Sequence, residues 1–123
     1  MKFDDLSKKV IGSALEVHKE LGPGLLESVY QKCLAFELRE AGIRFEMEKE
    51  IPILYKGLDI SCNYKIDLLI ENRLIVELKS VGELLPIHEA QLLTYMKLAK
   101  IKTGLLINFN ETLLKNGIKR FVF

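Results

Sequence analysis

Cysteine is scarce in this sequence of 123 residues, and its two cysteines, Cys33 and Cys62, lie far apart. They show no metal-ligand spacing, which argues against a zinc site, and we expect both to be reduced thiols. No run of about eighteen apolar residues exists, so we expect no membrane-spanning helix. No cationic N-terminal region precedes an apolar stretch, as it would in a secretory signal, so we expect a cytoplasmic protein.

An excess of charge of either sign is also lacking. Lys and Arg together number 18 and Asp and Glu number 17, which gives a formal net charge of +1. Because nucleic-acid binders usually carry a basic balance or stripe, any contact with nucleic acid must be local. Hydrophobic residues make up 49% and charged residues 28%. We therefore expect one globular domain, residues 1–123, whose core needs no disulfide or metal.

The spacing of apolar residues predicts an α/β chain with the element order α-α-β-β-β-α-β-β. Helices are predicted over residues 4–21, 25–41 and 87–99. Pro52 is expected to mark a bulge or an edge position. Strands are predicted over residues 43–55, 58–71, 74–79, 103–109 and 118–123, with 110–117 as a loop or a short helical turn.

Three charged residues interrupt the two apolar runs of residues 64–79, namely Asp67, Glu77 and Lys79. A charge in a buried strand is costly unless it is paired, hydrogen-bonded or bound to a metal. Two carboxylates beside an ammonium group therefore suggest a divalent cation. Oxygen-only ligands favour Mg²⁺ or Mn²⁺ over softer metals.

The register of this hairpin decides whether the carboxylates meet. A two-residue turn at Asn72 and Arg73 places Asp67 opposite Leu78, whereas a three-residue turn centred on Asn72 places it opposite Glu77. Asn tolerates the left-handed conformation that such a turn needs. The metal-site hypothesis thus predicts an odd loop or a corrective bulge. In that register the charged face carries Lys65, Asp67, Glu71, Glu77 and Lys79, and the apolar face carries Ile66, Leu68, Ile70, Leu74, Val76 and Leu78.

Asp67, followed ten residues later by Glu77-Leu78-Lys79, resembles the signature of the PD-(D/E)xK nuclease superfamily, although Ile66 stands where the signature has Pro. Gln91 to Tyr95 resembles the QxxxY motif of RecB-type nucleases, and Gly24 to Tyr30 resembles the pattern that names the GxxExxY protein family. Three further segments are similar to that family: Gly22-Pro23-Gly24, His88-Glu89-Ala90-Gln91 and residues 104–109.

The resemblance implies a restriction-endonuclease-like core, a mixed β-sheet flanked by helices. It also implies a metal-dependent nuclease that hydrolyses phosphodiester bonds with a metal-activated water. DNA is the expected substrate in preference to RNA. Asp67 and Glu77 would bind Mg²⁺ or Mn²⁺, with the Leu78 carbonyl as a possible third ligand and Glu27 as a metal or water contact. Lys79 would position or activate the water. Gln91 and Tyr95 would contact Lys79, the metal-bound water or a phosphate.

Each of these residues also has a plainer interpretation. Asp67, Glu77 and Lys79 can form a structural ion pair, and Glu27 can interact with a helix dipole. Gln91 and Tyr95 can form the polar edge of a packed helix. Tyr30 can buttress Glu27 or lie in the core. The alternative function is a catalytically silent nucleic-acid-binding or assembly module, and a homodimer or a partner protein is compatible with the chain's small size.

Overall fold

The computed structural model describes residues 4–60 and 64–123, and Cys62 therefore lies outside the described residues. Within those ranges, no helix has both the length and the apolar character needed to cross a bilayer. The helices are α1 (Asp5–Leu21), α2 (Glu27–Glu40) and α3 (Pro86–Ala99). The strands are β1 (Phe45–Glu50), β2 (Ile53–Tyr55), β3 (Leu58–Ile60), β4 (Lys65–Ile70), β5 (Leu74–Lys79), β6 (Thr103–Asn108) and β7 (Ile118–Val122), and a short 3₁₀ helix spans Leu114–Gly117.

The main sheet has the strand order β1-β4-β5-β6-β7. Strands β5 and β6 are parallel and are connected through α3, whereas the other neighbours are antiparallel. A parallel pair needs such a crossover connection, because a tight turn can only reverse the chain. The result is a mixed sheet flanked by helices, which confirms the expected restriction-endonuclease-like architecture.

Helices cover both faces of this sheet. One buried cluster joins α1 and α2 to the sheet and includes Val10, Tyr30, Leu34 and Phe109, with Cys33 partly buried beside it. A second cluster joins α3 to the opposite face. The apolar runs of β5 and β6 are buried on both faces, as expected for strands at the centre of a covered sheet.

The ends of α1 follow from local chemistry. Asp4 caps the N-terminus of the helix, and its Oδ1 accepts from the Ser7 N–H at 2.7 Å. Gly22 ends the helix with φ of 68°, a conformation that glycine adopts at little cost. The observed bounds of all three helices lie within two residues of the predicted ones.

The prediction of single strands over residues 43–55 and 58–71 is wrong. The backbone ladder between β1 and β4 continues to Ile51, whose N–H donates to the Tyr64 carbonyl at 2.9 Å. Pro52 follows and has no N–H to continue the ladder. Within the described ranges, β2 and β3 pair with each other and with no other strand, as a separate two-stranded hairpin. The observed order thus contains an additional hairpin.

The predicted apolar face is also wrong at one position, Ile66. This side chain packs in the cluster on the α3 side, not with Leu68 and Ile70 on the α1–α2 side. Strand β1 changes faces at the same level: Met47 packs on the α1–α2 side and Ile51 on the α3 side. In β1 the change falls at Glu48, which has φ of 55° and lies between the ladder pairs Met47 with Leu68 and Lys49 with Ile66.

Candidate active site

The β4–β5 hairpin has the register that brings Asp67 and Glu77 together. Its Cα pairs, Leu68 with Val76 through Ile70 with Leu74, are symmetric about Asn72. Asn72 has φ of 55°, as predicted, and Glu71 has φ of 51°. Two consecutive left-handed residues are typical of a type I′ turn, whose twist matches that of the flanking strands. The prediction of a three-residue turn centred on Asn72 is therefore confirmed.

The two carboxylates lie where the β4–β5 ladder would otherwise continue. The Asp67 N–H donates to Glu77 Oε1 at 3.0 Å, and the Leu78 N–H donates to Asp67 Oδ2 at 2.8 Å. Glu77 is only 4% exposed and Asp67 is half-buried. Each carboxylate therefore accepts a main-chain hydrogen bond from the opposite strand.

Lys79 is connected to α3 through two hydrogen bonds in series. Its Nζ donates to Gln91 Oε1 at 3.3 Å, and Gln91 Nε2 donates to the Tyr95 hydroxyl at 3.1 Å. Gln91 and Tyr95 are four residues apart and therefore lie on the same face of the helix. The structure thus brings together three of the residues that the sequence singled out, and α3 fixes the direction of the ammonium group.

Glu27 comes from the first turn of α2. Burial raises the pKa of Glu27, and the negative charge of Asp67 raises it further, while the charge of Lys79 opposes the change. The Glu27 carboxylate is therefore close enough to Asp67 and Lys79 for their charges to act on it. Glu27 thus shares the electrostatic surroundings of Asp67 and Lys79, although a helix and not the hairpin supplies it.

Tyr30 supports the loop that leads to Glu27. Its side chain is fully buried, and its ring stacks on Phe109 with the centroids 4.5 Å apart. The hydroxyl donates to the Gly22 carbonyl at 2.6 Å and accepts from the Leu25 N–H at 3.1 Å. Tyr30 therefore lies in the core, and its hydroxyl also holds the loop that precedes Glu27.

Two residues that the sequence analysis did not select also hold the site. Gln31 Nε2 donates to the Asp67 carbonyl at 3.1 Å, which ties α2 to β4. The Ser80 hydroxyl donates to the Leu25 carbonyl at 2.6 Å, which ties the end of β5 to the loop before α2. Gln31 lies four residues after Glu27 on one helical face, and this spacing was a usable signal. Ser80 gave no comparable signal.

The surroundings of Asp67 and Glu77 disfavour ionisation of both carboxyl groups at once. Burial, and then the charge of Asp67, raise the pKa of Glu77 to about 9. Burial also raises the pKa of Asp67, although the Leu78 N–H and then the charge of Lys79 oppose this. Two neighbouring carboxylates with raised pKa values share a proton or bind a cation. The same charges act on Tyr95: burial, and then the charge of Glu77, raise the pKa of its hydroxyl.

The residues present fit a hard divalent ion by their chemistry. Asp67, Glu77 and Glu27 offer carboxylate oxygens only, the donors that Mg²⁺ and Mn²⁺ prefer. Among the described residues, however, no group of three or more His, Cys, Asp or Glu side chains has an arrangement that could hold an ion. The Asp67 carboxylate instead accepts from the Leu78 N–H. The roles of the Leu78 carbonyl and of Glu27 as ligands therefore stay predictions.

Comparison with protein families gives one match that spans the chain. The model of the PD-(D/E)XK nuclease superfamily matches residues 4–121. Comparisons with curated proteins and with solved structures gave no significant match. The matched range contains both the β4–β5 hairpin and the helices that supply Glu27, Gln91 and Tyr95.

Proposed function

The chain belongs to the PD-(D/E)XK nuclease superfamily, and on that premise we propose that it is a metal-dependent nuclease that hydrolyses phosphodiester bonds of DNA. Membership in this superfamily suggests nuclease activity and implies binding of nucleic acid. Nucleases of this superfamily generally use divalent metal ions. The observation that carries the proposal is the juxtaposition of Asp67 and Glu77 in one buried pair beside Lys79.

The carboxylates are the groups that would hold the ion. Asp67 and Glu77 are already close together, and Glu27 lies within electrostatic reach of Asp67. A divalent ion bound there would polarise the scissile phosphate and lower the pKa of a bound water molecule. Such an ion would replace the proton that the raised pKa of Glu77 otherwise keeps on the pair.

Lys79 supplies the positive charge of the site. Gln91 Oε1 accepts from its Nζ and so fixes where the ammonium group lies. A fixed cation next to the carboxylates orients the attacking water or stabilises the charge that develops on the phosphate. Gln91 acts here as a positioning residue. Tyr95, whose oxygen accepts from Gln91, keeps its own hydroxyl proton available for a phosphate oxygen.

The test is cleavage of a panel of linear, nicked, branched and single-stranded DNA and RNA in the presence of Mn²⁺. The wild type is compared with Glu77→Ala, and with Glu50→Ala as a matched change at an exposed strand position. We expect cleavage of DNA by the wild type and by Glu50→Ala, and its loss in Glu77→Ala. Binding without cleavage by the wild type would instead support a silent module, and cleavage that survives in Glu77→Ala would contradict the assigned site.

A further inference from the structure

A pocket of about 550 Å³ lies beside the Lys79 end of the site. Helix α3 forms one side, and residues from β2 and from the segment before β4 form the other. Lys79 and Gln91 belong to its wall, so the pocket and the candidate active site are continuous. The aromatic and aliphatic part of the wall comprises Ile53, Tyr64, Ile87, Tyr95 and Leu98.

Two tyrosine rings form the aromatic part of this wall. The centroids of Tyr64 and Tyr95 are 6.3 Å apart and their planes are inclined by 56°. Tyr95 is 7% exposed, because it packs in the buried cluster between α3 and the sheet. Tyr64, in contrast, is exposed to solvent. An exposed aromatic face beside aliphatic side chains is a surface on which a flat organic ring gains free energy by stacking.

The size and polarity of the pocket restrict what can enter it. Its volume lies within the range of sites that bind drug-sized molecules, which are comparable in size to a nucleotide. Its walls are mostly apolar, with a few polar groups such as the hydroxyl of Thr94 and the ring of His88. A base within a duplex has both faces covered by its neighbours, so only an unstacked base can present a ring to this wall.

The positive charge at one end of the pocket determines the orientation of such a ligand. A phosphate placed at the Lys79 ammonium would have its adjoining sugar and base next to the apolar wall. We propose that the pocket takes an unpaired nucleobase adjacent to the scissile phosphate, so that the substrate class is single-stranded nucleic acid or a strand end or flap with unpaired bases. This inference rests on the nuclease function proposed above and specifies its substrate.

Binding without cleavage tests the pocket directly. Fluorescence anisotropy in EDTA compares a labelled short oligothymidylate with an abasic strand that has the same number of phosphates. The wild type is expected to bind the oligothymidylate more tightly than the abasic strand. Tyr64→Ala is expected to weaken binding of the oligothymidylate by roughly five- to hundredfold, the range found when one stacking aromatic side chain is removed. Binding of the abasic strand should stay unchanged.

Two further variants make the result specific. Tyr55→Ala removes another exposed tyrosine, which lies on β2 and not in the pocket wall, and should bind like the wild type. Thr94→Trp is at an exposed position of α3 and should obstruct the pocket, so it too should weaken binding of the oligothymidylate. Equal binding of both strands by the wild type, or equal losses in Tyr64→Ala and Tyr55→Ala, would overturn the proposal.

A cleavage assay separates this inference from the function on which it rests. With Mn²⁺, the wild type is expected to cleave single-stranded DNA faster than a blunt duplex, and Tyr64→Ala should lose this preference. Absence of any metal-dependent cleavage would overturn the nuclease proposal, while base-dependent binding in EDTA would still establish the pocket. Cleavage of duplex and single strand at equal rates would overturn the pocket and leave the nuclease function standing.

Discussion

Glu77 Oε1 accepts a hydrogen bond from the main-chain N–H of Asp67 at 3.0 Å. A buried carboxylate that bonds to the backbone of its neighbouring carboxylate links the protonation of the site to the stability of the sheet. The sheet ladder is regular up to the pair of Leu68 and Val76. Beyond that pair, side-chain oxygens serve as acceptors for main-chain groups. The local backbone geometry therefore depends on the charge of the two side chains.

The first prediction concerns pH. Burial and then the charge of Asp67 raise the pKa of Glu77 from 4.5 to about 9. Between these values the folded state binds a proton that the unfolded state releases, so the free energy of unfolding falls as pH rises. In EDTA, urea denaturation should show a loss of several kcal/mol between about pH 5 and pH 9, since each unit of pKa difference is worth about 1.4 kcal/mol.

The variant Glu77→Gln checks that assignment. The amide keeps an oxygen acceptor for the Asp67 N–H but cannot ionise, so its free energy of unfolding should depend less on pH than that of the wild type. Glu50→Gln, at an exposed position of β1, is the matched control and should follow the wild type. Identical pH slopes for the wild type and Glu77→Gln would refute the raised pKa.

The second prediction concerns the metal ion. Mg²⁺ or Mn²⁺ should raise the melting temperature of the wild type by a few degrees, because a ligand that binds only the folded state stabilises it. Asp67→Ala removes a ligand and should abolish this shift. Asp59→Ala, an exposed Asp on β3, should retain it. The melting temperatures are measured by thermal unfolding at constant ionic strength. Equal shifts in the wild type and Asp67→Ala would contradict the assigned site.

The sequence predicted most of the fold because its local signals agree with the tertiary structure. Apolar spacing located α1 and α2, and the symmetric position of Asn72 predicted the register of β4 and β5. Register follows from the pattern here because a slip by one residue would place the charged set on the wrong face.

The features that the sequence did not predict have three separate physical origins. A period of two assumes regular strands, but Glu48 of β1 has a left-handed backbone and Ile66 of β4 packs on the unexpected face. The predicted strands ended at residue 55 and began again at 58, as the β2–β3 hairpin does, but its separation from β1 and β4 was missed because its residues alternate like the flanking strands. Contacts that cross elements, such as Gln31 with the Asp67 carbonyl, depend on tertiary geometry that spacing does not contain.

The third prediction concerns Tyr30. The substitution Tyr30→Phe keeps the ring stacked on Phe109 but removes the hydroxyl that bonds to Gly22 and Leu25. We expect the free energy of unfolding to fall by about 1–3 kcal/mol, because a main-chain donor and acceptor lose their partner. The stabilisation by Mn²⁺ should also become smaller, because the loop that leads to Glu27 is no longer held.

The matched change for this prediction is Tyr55→Phe, since Tyr55 is exposed on β2. It should alter neither the urea midpoint nor the shift in melting temperature caused by Mn²⁺. If Tyr30→Phe unfolds at the same urea concentration as the wild type, the two hydroxyl hydrogen bonds do not hold the loop. Unchanged stabilisation by Mn²⁺ would show that the loop does not position Glu27.

The fourth prediction concerns Lys79. Lys79→Ala should lower the rate of phosphodiester cleavage by about 10²- to 10³-fold, the loss expected when one preorganised group that stabilises developing charge is removed. Gln91→Ala leaves the ammonium group present but removes the acceptor that holds it, so the rate should fall by a smaller factor.

Lys65→Ala, at an exposed position of β4, is the control and should cleave like the wild type. Circular dichroism should be the same for all three variants. A rate for Lys79→Ala equal to that of Lys65→Ala would show that the cleavage arises at another site or from a contaminant.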